Sequence, residues 1–140
     1  MDTDDRGSFA IEAAILVPAL LFFLLLVIAA GRVETARGTV DAAARDAARS
    51  ASLKRTVNTA VSAAQRSAAT TLHQQGVSCH NPQPATVDHA DFAPPVGRTG
   101  QVTVTVTCTV LLSDVAMPGL PGSITVTSTF TSVVDAYRAR

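Results

Sequence analysis

Residues 9–30 read FAIEAAILVPALLFFLLLVIAA, twenty-two residues with a single charge, Glu12. As a helix this run is about 33 Å long, enough to cross a hydrocarbon core of about 30 Å. No other feature restricts the fold as strongly, because a segment this apolar must sit in lipid or be wrapped by protein. The rest of the chain cannot wrap it: of 140 residues, five are Phe, one is Tyr and none is Trp. About 110 residues remain for one small outer region, rich in Ala, Thr, Val and Ser and built for a thin core. The run is longer than a typical secretory h-region, follows an acidic leader, MDTDDRG, and lacks a strong A-x-A site after it, so a retained transmembrane helix is expected. Pro18 lies inside it, where a missing backbone donor and a crowded preceding turn predict a kink.

Within such a run Glu12 is expensive. A charge costs about 2.5–3.5 kcal/mol at the bilayer centre and less near an end. It either reaches the interface or has a partner.

Beyond the run, residues 31–76 predict one amphipathic Ala-rich helix. Val33, Ala36, Val40, Ala44, Ala47 and Ala51 recur at three- and four-residue steps, and Val57, Val61, Ala64, Ala68 and Leu72 continue the pattern. Asp41 with Arg45 and Asp46 with Arg49 have helix-supporting spacing. Gly31 and Gly38 each cost about 1 kcal/mol relative to Ala, which predicts a soft point near the membrane junction. Gly76 predicts the terminator.

Residues 77–140 shift to loop and strand. SCHNPQPATVDHADFAPPVGRTG is Pro-rich, with room for one short strand near 86–88. QVTVTVTCTVLL and SITVTSTFTSVV alternate strictly, and the two Pro-Gly pairs of DVAMPGLPG between them favour turns. These are two antiparallel strands, with Val102, Val104, Val106, Cys108 and Val110 on one face and Thr on the other. A lone hairpin is marginal in water, so the Val face is expected to lie on the Ala-rich helix. The expected class is therefore α+β, a long N-terminal helix packed on a small antiparallel sheet. Cys79 and Cys108 are an even pair beyond the apolar run, which suggests one disulfide and an oxidising compartment.

Catalytic and ligand chemistry finds little support. His73, Cys79, His80, His89 and Cys108 match no compact metal spacing, and a bridged cysteine pair would leave only histidines. There is no G-x-S-x-G elbow, no glycine-rich phosphate loop and no identifiable acid–base pair among Asp88, Asp91 and Asp114. A formal net charge of zero argues against nucleic acid. No cofactor, metal, small-molecule substrate or catalytic residue is expected. Basic residues are more numerous after the apolar run than before it, which by the positive-inside rule would put the C-terminus in the cytoplasm. The cysteines and the Thr-rich strands favour the opposite orientation.

GSFAIE, residues 7–12, resembles the processing site of type IV pilins and pseudopilins: a glycine, four uncharged residues and a glutamate leading a long apolar helix. GSFAIEAAILVPALLFFLLLVIAAGRVE and the following DAAARDAARSA are similar to the TadE-like pseudopilins of tight-adherence (Tad/Flp) pili, with their mid-helix proline and post-membrane acidic residue. Two departures are an acidic leader (Asp2, Asp4 and Asp5) and Ser8 as first mature residue. The resemblance implies a leader, residues 1–7, cut by a prepilin peptidase between Gly7 and Ser8, and a transmembrane helix over residues 8–30. It implies a cytoplasmic N-terminus, an extracytoplasmic C-terminal domain and a pilin-like fold. Glu12 becomes the fifth mature residue, paired with the new amine of Ser8 on a neighbouring subunit during assembly. Partners implied are the membrane, the prepilin peptidase, other pilin or pseudopilin subunits and Tad inner-membrane assembly proteins. The residues alone also allow an unprocessed signal-anchored protein whose outer domain binds another envelope component.

Overall fold

In the computed structural model, residues 4–95, 97–115 and 121–134 are described. A 49-residue helix, α1 (Asp4–Ser52), runs from the leader through the apolar run and on into the outer region. It is followed by α2 (Val57–Gln74), β1 (Thr86–Asp88), β2 (Gly100–Leu111), a single turn α3 (Leu112–Val115) and β3 (Ser123–Val134). The strands form one antiparallel sheet in the order β1-β2-β3. This is an α+β arrangement, a long apolar N-terminal helix with a small three-stranded sheet.

The Ala-rich stretch does not form one helix. α1 passes through Gly31 and Gly38 without interruption and ends at Ser52; the chain turns over residues 53–56, and α2 packs back against α1. The break belongs to hydroxyl side chains rather than to glycine. Ser52 Oγ donates to the Arg49 carbonyl at 2.9 Å, and Lys54 N–H closes the turn on the Ala51 carbonyl at 3.0 Å. Thr56, with extended backbone, accepts from the Thr59 N–H as N-cap. The gain comes from packing: Ala43, Ala44, Ala47, Ala48 and Ala51 of α1, and Ala60, Ala64 and Ala68 of α2, are buried in one core. Small side chains let two backbones approach closely, so an Ala stripe that would be weak on one helix becomes a seam between two. At Gly38 the burial of the flanking Ala36, Thr39 and Val40 offsets the propensity cost, whereas Gly31 continues the helix with open space around it.

Three side-chain hydrogen bonds cross this seam. Ser50 meets Ser67 at 3.0 Å, Thr71 donates to Asp46 at 2.9 Å, and Thr39 donates to the Gln75 side-chain oxygen at 3.1 Å. Asp46 thus faces α2 instead of pairing with Arg49. The ion pairs among the described residues are Glu34 with Arg37 at 2.7 Å and Asp41 with Arg45. Just past the end of α2, Gly76 takes the left-handed region, φ 71°. Gly76 N–H binds the His73 carbonyl and Val77 N–H the Leu72 carbonyl, the double closure of a Schellman motif.

β2 is the spine of the sheet. Val102, Val104, Val106, Cys108 and Val110 are all buried against the helices. On the opposite face Thr103, Thr105, Thr107 and Thr109 bond hydroxyl to hydroxyl with Thr131, Thr129, Thr127 and Thr125 of β3 at 2.8–3.2 Å. α1 underlies β3: Ser128 donates to Asp41 at 2.9 Å, Ser132 to Ser52 at 3.1 Å, and Arg45 lies 6.0 Å from the Phe130 ring centroid. The Pro-rich loop buries Phe92, the core's one large aromatic among the described residues. Gly100 sits where a Cβ would meet the Asp91 carbonyl at 2.6 Å and Pro94 at 2.8 Å, so the loop can approach β2 only over a glycine.

Candidate membrane and assembly segment

The apolar run forms the first half of α1, and it is bare. From residue 14 to residue 28 every side chain is exposed, including Leu20, Leu21, Phe22, Phe23 and Leu24. Ala29 and Val33, on either side of Gly31, are half-buried, and full burial begins beyond it with Ala36, Thr39 and Val40. The helix is long and apolar enough to cross a membrane, and it fits a single-pass membrane protein. It continues through Pro18, which lipid-exposed helices tolerate when neighbouring groups take up the freed carbonyl.

Glu12 lies on an exposed face one turn into this segment, with Ile11 exposed beside it. Gly7 and Ser8 lie in the first turns of α1, among residues whose side chains are outside the described set. Residues 1–3 of the leader also lie outside it. Ser8 and Glu12 are four apart on a helix, so both stand on one face, about 6 Å apart along the axis. That spacing brings a carboxylate near the position of residue 8 without any loop.

The outer domain is stapled at its centre. Cys79 and Cys108 are joined by a disulfide with Cα atoms 5.2 Å apart, and no cysteine is free. The bridge ties the segment after α2 to the buried face of β2, and His80 N–H reaches the Thr109 carbonyl at 2.6 Å beside it. On the chain-entropy model, closing this separation of 29 residues is worth about 3.5 kcal/mol. Beside the bridge runs an apolar groove of about 490 Å³, lined by Leu72, Val77, Pro84 and Val106, with His73 at its rim. Among the described residues no three His, Cys, Asp or Glu side chains stand close enough to hold a metal ion. His73, His80 and His89 lie apart from any such cluster.

Reading the sequence alone misses the residues that set the hairpin: Thr56 as cap, Asp46 and Thr71 as its polar rung, and Phe92 as loop anchor. Thr56 carried a signal, a hydroxyl residue directly before an apolar-periodic stretch. The partners of Asp46 and Phe92 are tertiary and had none.

Residues 7–49 match the family described as TadE-like protein. No curated protein and no solved structure matches the chain. The matched segment starts at Gly7, takes in Glu12 and the whole apolar run, and ends within the buried half of α1. Over these residues, fewer than a third of the chain, it is similar to the TadE-like proteins.

Proposed function

We propose that this chain acts as a pseudopilin or minor pilin in assembly of a Tad/Flp-type pilus, in a structural and not an enzymatic role. The observation that carries the reading is the coincidence of three things at one place. The family match begins at Gly7, the glycine-to-glutamate spacing follows at once, and the helix behind it is unshielded. In this reading the N-terminus is cytoplasmic and the sheet domain extracytoplasmic, where an oxidising compartment maintains the disulfide. A prepilin peptidase cuts between Gly7 and Ser8. The cut creates an α-amino group at the start of an apolar helix, and a buried carboxylate is tolerated when paired with such a cation. Glu12 is that partner across a subunit boundary, and the pairing sets axial register.

Mass spectrometry of the membrane-extracted protein, expressed with its cognate peptidase, tests the cut. An N-terminus at Ser8 is expected. A chain still starting at Met1 or Asp2 would leave an unprocessed anchor whose outer domain binds another envelope component. The pairing role is tested by Glu12→Ala, which should insert into the membrane normally and fail to support pilus assembly. Normal pili from that variant would refute it.

A further inference from the structure

The hydrogen bonds between α1 and β3 fix their relative height. Asp41 meets Ser128 and Ser52 meets Ser132, so helix and strand run in the same direction. Between these contacts α1 rises about 16 Å and β3 about 13 Å, close enough for the two to be nearly parallel. Counting back from Asp41, Gly31 lies about 15 Å below. Counting back from Ser128, Ser123 lies about 16 Å below. The start of β3 therefore stands level with the end of the apolar run. Leu111 pairs with Ser123, Leu112 N–H binds the Gly122 carbonyl at 3.0 Å, and α3 packs against α1, so the described β2–β3 end of the sheet is at this height too. No linker separates domain from membrane segment.

We propose that this end of the sheet, with half-exposed Leu111 and Leu112 and with Ser113 and Ser123, rests on the lipid headgroups as a second membrane contact of the chain. The proposal rests on the reading of residues 9–30 as a membrane span. The surface suits the zone between headgroup and acyl chain: two leucines and two hydroxyls, with Asp114 beside it and, on the adjoining turns of α1, Arg32 and the Glu34–Arg37 ion pair. These opposite charges give no net attraction to anionic lipid, so the contact holds on zwitterionic membranes and is insensitive to salt. The opposite pole of the domain, at Leu53, Lys54 and Arg55, stands about 33 Å higher along α1.

The chain contains no tryptophan, so a single introduced one reports depth without background. The full-length protein is placed in phosphatidylcholine vesicles carrying a nitroxide either on the headgroup or deep in the acyl chain. Leu21→Trp should lose emission mainly to the acyl-chain nitroxide. Ser113→Trp should lose it mainly to the headgroup nitroxide, Ser123→Trp likewise, and Leu53→Trp to neither. Ser123→Trp serves if Ser113→Trp fails to form the disulfide. A quenched Leu21 reporter with both base reporters as bright as Leu53 overturns the proposal and leaves the span intact. Equal headgroup quenching at Leu53 and at the base also overturns it, because the domain would then lie on its side. An unquenched Leu21 reporter overturns the span itself.

Discussion

The two halves of α1 form one continuous helix and obey opposite packing rules. Below Gly31 the large side chains described are Leu, Ile, Phe and Val, and all are exposed; above it the buried ones are mostly Ala, many at zero exposure. Lipid conforms to any shape, so the lower half can be bulky and irregular. A second helix cannot conform, so the upper half is trimmed to residues that let α2 come close. The more apolar half is the one that no other described part of this chain covers. Hydropathy alone therefore ranks the halves in the wrong order for folding, and side-chain size ranks them correctly.

The comparison can be broken by exchanging the rules. Leu24→Lys puts a charge in the lower half and should cost about 2.5–3.5 kcal/mol of insertion, read as loss from the membrane fraction. Ala47→Leu overfills the seam and should destabilise the outer domain by about 1–3 kcal/mol in a denaturant melt in detergent, whereas Leu24→Ala should leave that melt unmoved. Asp46→Ala strands the Thr71 hydroxyl in the seam and should cost about 1–2 kcal/mol in the same melt. The smallest effect has the opposite sign. At Gly38 a Cβ would meet nothing within 4 Å, so Gly38→Ala should stabilise the outer domain by up to about 1 kcal/mol. A destabilised Gly38→Ala variant would contradict the open space around this residue.

The strands were legible because Thr alternates with Val or, once, Cys from Val102 to Val110, and a two-residue period leaves one choice of buried face. The membrane segment was legible for the same reason of contrast. The helical hairpin was not, since Ala gives little contrast between faces and its turn contains neither Gly nor Pro. A stripe of small residues reads alike whether the helix runs straight on or folds back on itself. Phe92 sat in a loop, and a loop's burial depends on where it docks. At the candidate site the spacing from Gly7 to Glu12 was plain in the sequence, and the partner proposed for Glu12 is the amine of Ser8 on a neighbouring subunit.

The absence of a linker at Gly31 has a consequence for the entropy of assembly. Association between free proteins costs several kcal/mol in lost translation and rotation. A domain joined to its anchor by continuous helix and standing at the level where that anchor leaves the bilayer has already lost two of three rotations, keeping only the spin about the membrane normal. In the proposed assembly, neighbouring copies would meet at equal height with their sheets upright, and the search for a partner would reduce to one angle and two coordinates in a plane. A flexible connector of even a few residues inserted into α1 at Gly31 would restore those freedoms and weaken every lateral contact alike, whichever residues form it.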